Sequence, residues 1–383
     1  MARVAAGSTI FESWDIAVAV ISGLVNEGIT DFYLIDHRSS GDPRDQFLRA
    51  IPANAKIHWV RKNSPLFSQA STMTALAHLA RKDGFDAFIP FDADEFFTGT
   101  SRPLIDEIRD WLANTDTRAL ACVMDNFYQS SDVTDFTPED LSHVHYLAQQ
   151  GPKPIEFLVD RPAEYKRYAF SAKQQKVIMR LVPGAAGDFD WLRKGNHRLL
   201  NMMTGEYYPE TKSTAVSVLH LPCRSRNSLM VRRATAIRSH RDVGTSLDTD
   251  DAEFDIIDSV RDSEWKLSSV PAGTTEALIT VSGVNAVRDE RLSSLAPSII
   301  RGIRPPNSTP AECIDETQRI ADIALDLADP FVLTISPAEW KSNPTIEMRH
   351  VRQLEKKLLN LQAKIDQTRP SFVRKILARF KRS

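Results

Sequence analysis

Along the first 125 residues apolar and polar positions alternate between a strand period and a helix period. Residues 2–10 make a short first strand candidate. From Asp15 to Val25 the apolar residues Ile16, Val20, Ile21 and Leu24 recur at helical spacing, and Asn26–Gly28 ends the run. DFYLID (31–36) is a compact strand followed by RSSGDP (38–43), a turn that neither a helix nor a strand tolerates. The pattern continues with a short helix at Arg44–Ala50, the strand KIHWV (56–60), a helix at Ser68–Lys82 closed by Asp83-Gly84, and FDAFIPF (85–91) as a strand. A helix at Pro103–Asn114 and the strand RALACVM (118–124) complete it. Such alternation predicts an α/β fold with a mostly parallel sheet and helices on both faces. Ligands of these sheets bind beyond the carboxyl ends of the strands. Asp36 ends the second strand, and Asp92 and Asp94 end a later one, so these carboxylates are expected at one crevice.

Beyond residue 125 the pattern loosens. Residues 126–245 mix aromatic and polar side chains, with KVIMRLV (176–182) and TAVSVLHL (214–221) as strand candidates. A division follows: a first domain over 1–240, a helical accessory region over 241–344 opened by the acidic DTDDAEFD, and a different kind of segment over 345–383. There Val351, Leu354, Leu358, Leu361 and Ile365 form a short heptad seam. It suits a helix packed on its own domain or a coiled-coil homodimer. After Pro370, Phe372, Val373, Ile376, Leu377 and Phe380 share one face, and six Lys or Arg residues fall between Arg369 and Arg382. Two readings stand: a basic amphipathic helix for an anionic membrane surface, or a solvated helix end.

Composition narrows the class. The chain has 383 residues, 42% hydrophobic and 26% charged, which suits a soluble globular protein. A net charge of −2 argues against nucleic acid as a partner of the whole protein. The three cysteines, Cys122, Cys223 and Cys313, lie far apart with no CxxC pair, as expected in a reducing compartment. Glu12 and Asp15 interrupt the N-terminal apolar stretch, so no signal peptide is expected. No apolar run is long enough to span a membrane. The expected location is the cytoplasm, with the basic tail offering peripheral attachment at the inner face of the membrane.

The stretch FIPFDADEFF (88–97) raises the chemical question. Asp92, Asp94 and Glu95 stand at the mouth of an apolar strand, and clustered acids repel one another unless something positive lies between them. Hard oxygen ligands of this kind suit Mg²⁺ or Mn²⁺, which share their remaining positions with phosphate.

The runs YLIDHRSSGDP, FIPFDADEFF, KGNHRLL (194–200) and LHLPCRSRNSL (219–229) resemble the glycosyltransferase family 2-like enzymes of GT-A fold, over about residues 5–240. The resemblance implies a UDP- or GDP-sugar donor and transfer of its sugar to a hydroxyl of a glycan or lipid-linked acceptor. Asp36 would hold the base or ribose, and Asp92 and Asp94 the diphosphate and metal. A later histidine often completes such a metal site, and His197 and His220 both match. Arg224, with Arg226 close by, suits bidentate phosphate contact. Many relatives carry an Asn-Glu pair at the end of the first strand; IFESW here supplies only Glu12. The expected general base is Asp190 of GDFDW, ahead of Asp188, Glu156 and Glu164, with Glu95 orienting the metal site.

Two other classes fit the acids less well. A DxD phosphatase wants its first Asp near the N-terminus and a DxDx[TV] run, whereas here Glu-Phe follows the triplet at 92. A non-catalytic scaffold of the same fold, dimerised through the heptad helix, would leave buried carboxylates uncompensated.

Overall fold

The structure is a computed structural model describing residues 2–37, 39, 42–62, 69–128, 133, 135–149, 174–183, 190–193, 196–201, 204, 206–221, 224–225 and 285–326. Its elements run β1 (Val4–Ile10), α1 (Trp14–Asn26), β2 (Asp31–His37), α2 (Arg44–Ala50), β3 (Lys56–Lys62), α3 (Gln69–Lys82), β4 (Ala87–Pro90), β5 (Glu95–Gly99) and α4 (Leu104–Asn114). They continue through β6 (Ala119–Tyr128), a 3₁₀ helix (Pro138–His143), β7 (Tyr146–Gln149), β8 (Gln174–Arg180), β9 (Asp190–Arg193), β10 (Arg198–Asn201), β11 (Glu206–Tyr207) and β12 (Glu210–His220). The last are β13 (Asn285–Arg288), α5 (Arg291–Gly302), β14 (Glu312–Asp315) and α6 (Thr317–Asp326).

One large sheet has the order β13-β7-β6-β8-β4-β1-β2-β3-β14. Its half β4-β1-β2-β3-β14 is parallel throughout. β8 then runs antiparallel between β4 and β6. β12 pairs parallel with β6 and antiparallel with β5. A small sheet, β11-β10-β9, stands beside it.

The parallel half is buried on both faces because its residues alternate. Ala6, Phe32, Leu34, Ile57 and Ile89 belong to one core with Ile16, Val20 and Leu24 of α1 and Leu104 and Ile108 of α4. Ala5, Tyr33, Ile35, Val60 and Phe88 belong to a second core with Met73, Leu76 and Leu79 of α3. A period of two along each strand thus divides the apolar residues between two helical layers. The end of α1 is set locally: Gly28 has φ 88°, and the N–H groups of Gly28 and Ile29 return to the carbonyls of Val25 and Leu24.

Among the described residues, the stretch expected to form a helical accessory region supplies two strands and two helices. β14 extends the parallel half beyond β3. α5 packs on α1, where Ser22 Oγ donates to the carbonyl of Ile299 at 2.6 Å. Among the described residues no helix is long and apolar enough to cross a membrane. The heptad seam and the basic tail lie outside the described residues, as do Glu156, Glu164, Asp188 and Arg226.

Candidate functional site

The site grows from the end of β4. Phe88 and Ile89 are fully buried, and Phe91 N–H donates to the Gly7 carbonyl of β1 at 2.9 Å. That close pairing requires glycine, since a Cβ at residue 7 would lie 2.5 Å from the Phe88 ring. The chain then turns through Asp92, Ala93 and Asp94. Glu95 N–H donates to the Asp92 carbonyl at 3.0 Å, and the Asp92 N–H donates to Glu95 Oε2 at 3.0 Å. Glu95 therefore closes the turn with its own carboxylate and starts β5, with Phe96 and Phe97 buried behind it.

The positive charge between these acids comes from the chain itself. Lys176, near the head of β8, has 1% of its surface exposed. Its Nζ lies 2.8 Å from Asp92 Oδ2 and 2.8 Å from Glu95 Oε1. Asp92 Oδ1 accepts from Gln69 Nε2 at 2.5 Å and Asn196 Nδ2 at 3.5 Å. Burial tends to discharge the ammonium, but Asp92 and Glu95 outweigh it and raise the Lys176 pKa above the ordinary lysine value. One lysine cannot fully compensate the buried Glu95 and the partly exposed Asp92 together. Burial, with Asp92 beside it, pushes the Glu95 pKa up to about 7 against the pull of Lys176 and His220.

Asp94 sits on the other side of the turn. His220 ends β12 opposite both Glu95 of β5 and Asn126 of β6. Its Nδ1 donates to Asn126 Oδ1 at 2.7 Å, which leaves Nε2 facing Asp94 Oδ1 at 3.5 Å. A lone pair and a carboxylate oxygen do not face each other stably without a proton or a cation between them. A proton on His220 makes the two an ion pair and a small cation could also lie between them, with the imidazole oriented from behind by Asn126.

The other expected ligands are placed differently. Asp92 is already held by Lys176, Gln69 and Asn196. His197 follows Asn196 at the β9–β10 turn, and its Nδ1 donates to the Gln175 carbonyl. Burial and the charge of Lys176 lower its pKa below the ordinary histidine value. Of the four expected ligands, Asp94 and His220 face each other, while Asp92 and His197 are engaged by other groups of the protein.

Asp36 lies on the same carboxyl edge, on β2, separated from β4 by β1. It is fully buried; Oδ1 accepts from Ser39 N–H at 3.1 Å and Oδ2 has no partner. Ser39 Oγ accepts from Glu12 N–H at 3.2 Å and from Trp14 Nε1 at 2.9 Å, so Glu12 and Asp36 meet through one serine. Glu12 has φ 49°, an uncommon conformation for a residue with a Cβ.

Two expected residues have other partners. Arg224 makes a bidentate pair with Asp15 at 2.8 and 3.0 Å, on the first turn of α1. Asp190 is buried and paired with Arg118, with Oδ1 unpartnered. In the β9–β10 register Asp190 faces Asn201, at the opposite end of the hairpin from Asn196 and His197. Lys176, Asn126 and Gln69 stand in none of the motif runs that mark the site in the sequence. Lys176 alone had a local signal, as the one cation opening the apolar run KVIMRLV before Arg180.

A second group could hold a metal ion: ligand atoms of His58, Asp83 and Glu316 lie within 4.8 Å of one another. Here too a protein cation is present. Arg319 donates to both Glu316 oxygens at 3.0 Å and to Asp83 Oδ1 at 2.5 Å, while His58 Nδ1 lies 2.8 Å from Glu316 Oε1. These contacts tie α6 to β3 and the end of α3.

No protein-family model matches the chain, and no curated protein matches it. Among solved structures it is similar to HddC from Yersinia pseudotuberculosis, with TM-score 0.32 and 10% identity over 61% of this chain and 98% of that one. It is also similar to a UDP-glucose pyrophosphorylase complexed with UDP-glucose, with TM-score 0.26 and 9% identity over 63% of this chain and 100% of that one. Likenesses this distant carry no argument about activity.

Proposed function

We propose that the protein is a metal-assisted glycosyltransferase that moves a sugar from a nucleoside-diphosphate sugar to a hydroxyl acceptor. The observation that supports it is the gathering on one sheet edge of two polar groups that can each take up part of a ligand. These are the unpartnered, fully buried Asp36 oxygen and the Asp94–His220 pair. The first calls for a hydrogen-bond donor, such as a ribose hydroxyl or a base N–H. The second calls for a proton on His220 or a cation between the two side chains. A nucleotide sugar with a divalent ion supplies both.

In this reading Asp36 binds the nucleoside, with Glu12 and Ser39 shaping its surroundings. Asp94 and His220 would hold Mn²⁺ or Mg²⁺, which when bound offsets charge on the departing diphosphate. Asp92, held in orientation by Lys176 and with its side chain 35% exposed, accepts from donor hydroxyls. The bond from the sugar's anomeric carbon to phosphate breaks, the bond to the acceptor oxygen forms, and the acceptor proton passes to a carboxylate. For Asp190 to take it, its pair with Arg118 would have to open. Arg224 would reach phosphate only by leaving Asp15. The basic tail suits a lipid-linked or membrane-proximal acceptor, and the heptad seam a homodimer.

The test is a thermal-shift and hydrolysis screen of UDP- and GDP-sugars with and without Mn²⁺. Stabilisation by one nucleotide class that requires the metal, lost in Asp94→Asn, is expected. Indifference to every nucleotide would overturn the transferase and favour a non-catalytic scaffold.

A further inference from the structure

Every carboxylate oxygen of Asp92 and Glu95 has a donor from the protein. Lys176 Nζ serves one oxygen of each at 2.8 Å. Gln69 and Asn196 serve the other oxygen of Asp92, and the Asp92 N–H serves the other oxygen of Glu95. The Lys176 side chain is 2% exposed, so the ammonium is part of the interior and has no bulk water to retreat into. A divalent ion binds carboxylate oxygens at about 2.0–2.6 Å, a shell that lies inside the present ammonium contact. Metal and ammonium therefore exclude each other sterically at Asp92 Oδ2 and Glu95 Oε1, and like-charge repulsion weakens metal binding at the rest of the pair.

We propose that Lys176 is the internal cation of this site, holding Asp92 and Glu95 where a metal ion would otherwise bind, and so confining metal to Asp94 and His220. Lys176 is a positioning residue: it touches no reacting atom and acts through the orientation of Asp92. The placement of metal at Asp94 and His220 rests on the function proposed above; the exclusion of metal by Lys176 does not.

Mn²⁺ binding to the nucleotide-free protein tests this, counted by electron paramagnetic resonance and isothermal titration. In Lys176→Met the freed acids should take up one more Mn²⁺ per chain than the parent, while Lys176→Arg, which keeps the charge, should bind as the parent does. A folded Lys176→Met with the parent's Mn²⁺ count overturns the proposal. Loss of the ammonium leaves the buried Glu95 uncompensated and threatens folding of that variant; folding that returns only with Mn²⁺ supports the same conclusion. Should it fold under neither condition, the parent background decides. There Asp92→Asn should leave Mn²⁺ affinity within about twofold while Asp94→Asn loses it, and equal losses in both overturn the proposal. A parent that binds no Mn²⁺ contradicts the metal reading of Asp94 and His220, and the Lys176→Met count still judges Lys176.

Discussion

Replacing Asp36 by Asn separates a binding carboxylate from a structural one. Asp36 is fully buried, with Oδ1 bonded to Ser39 N–H and Oδ2 unpartnered. Asn is nearly isosteric and keeps an oxygen for Ser39, but it puts an amide where the unpartnered oxygen stands. A hydrogen bond to a charged group contributes about 1.5–3 kcal/mol. At 1.4 kcal/mol per tenfold, losing one between Asp36 and the donor should weaken nucleotide-sugar binding roughly 10- to 150-fold. Stability should move the other way or stay level. An unpartnered buried carboxylate is costlier to desolvate than an unpartnered amide, so the ligand-free variant should melt no lower than the parent. Isothermal titration with the donor and calorimetric melting of ligand-free protein measure the two effects. A variant that melts lower yet binds donor as well as the parent would refute the reasoning. Asp36 would then be a scaffold residue whose second oxygen finds a protein donor in solution.

Glu95→Gln should change the pH dependence of stability. The folded-state pKa of Glu95, about 7, lies above the ordinary 4.5, so the folded protein binds this proton more tightly and its stability falls as pH rises from about 4.5 to 7. Melting curves across that range should be flatter in the variant; identical slopes would show that Glu95 is not the group responsible. Asp190→Asn leaves the partly buried Arg118 with a weakened partner and should cost about 1–3 kcal/mol, read by denaturant unfolding. Unchanged stability with turnover abolished would instead mark Asp190 as the base. The full chain should co-sediment with anionic liposomes at low salt and release as salt rises, because surface charges are screened beyond a Debye length of roughly 8–10 Å. Truncation after Gln367 should remove that binding but not donor hydrolysis, and equal sedimentation of both forms would assign the tail to solvent.

The sequence by itself determined the parallel half and the edge on which chemistry gathers. The helix expected at Asp15–Val25 is Trp14–Asn26, and the helix expected at Arg44–Ala50 has those bounds. Both follow from local causes: an apolar period of 3.6 residues in α1 stopped by Gly28 in a left-handed conformation, and a proline-bearing turn before α2. Strand–helix alternation then obliges parallel strands to end on a common edge, which put Asp36 and Asp92 there without coordinates.

What answers the clustered acids was decided only by tertiary structure. Lys176 lies 84 residues from Asp92 in sequence and reaches it because β8 turns antiparallel between β4 and β6. His220 meets Asp94 because β12 pairs with β5 in a register that sets His220 against Glu95. β14 extends the sheet at β3 although the surrounding sequence suggested helices. Pairings of this kind have no periodic signature in either segment alone, because a strand's pattern encodes which face is buried and not which distant strand lies beside it. Acids in a row state that a positive charge is needed; only the packing of a distant strand specified that a buried lysine supplies it.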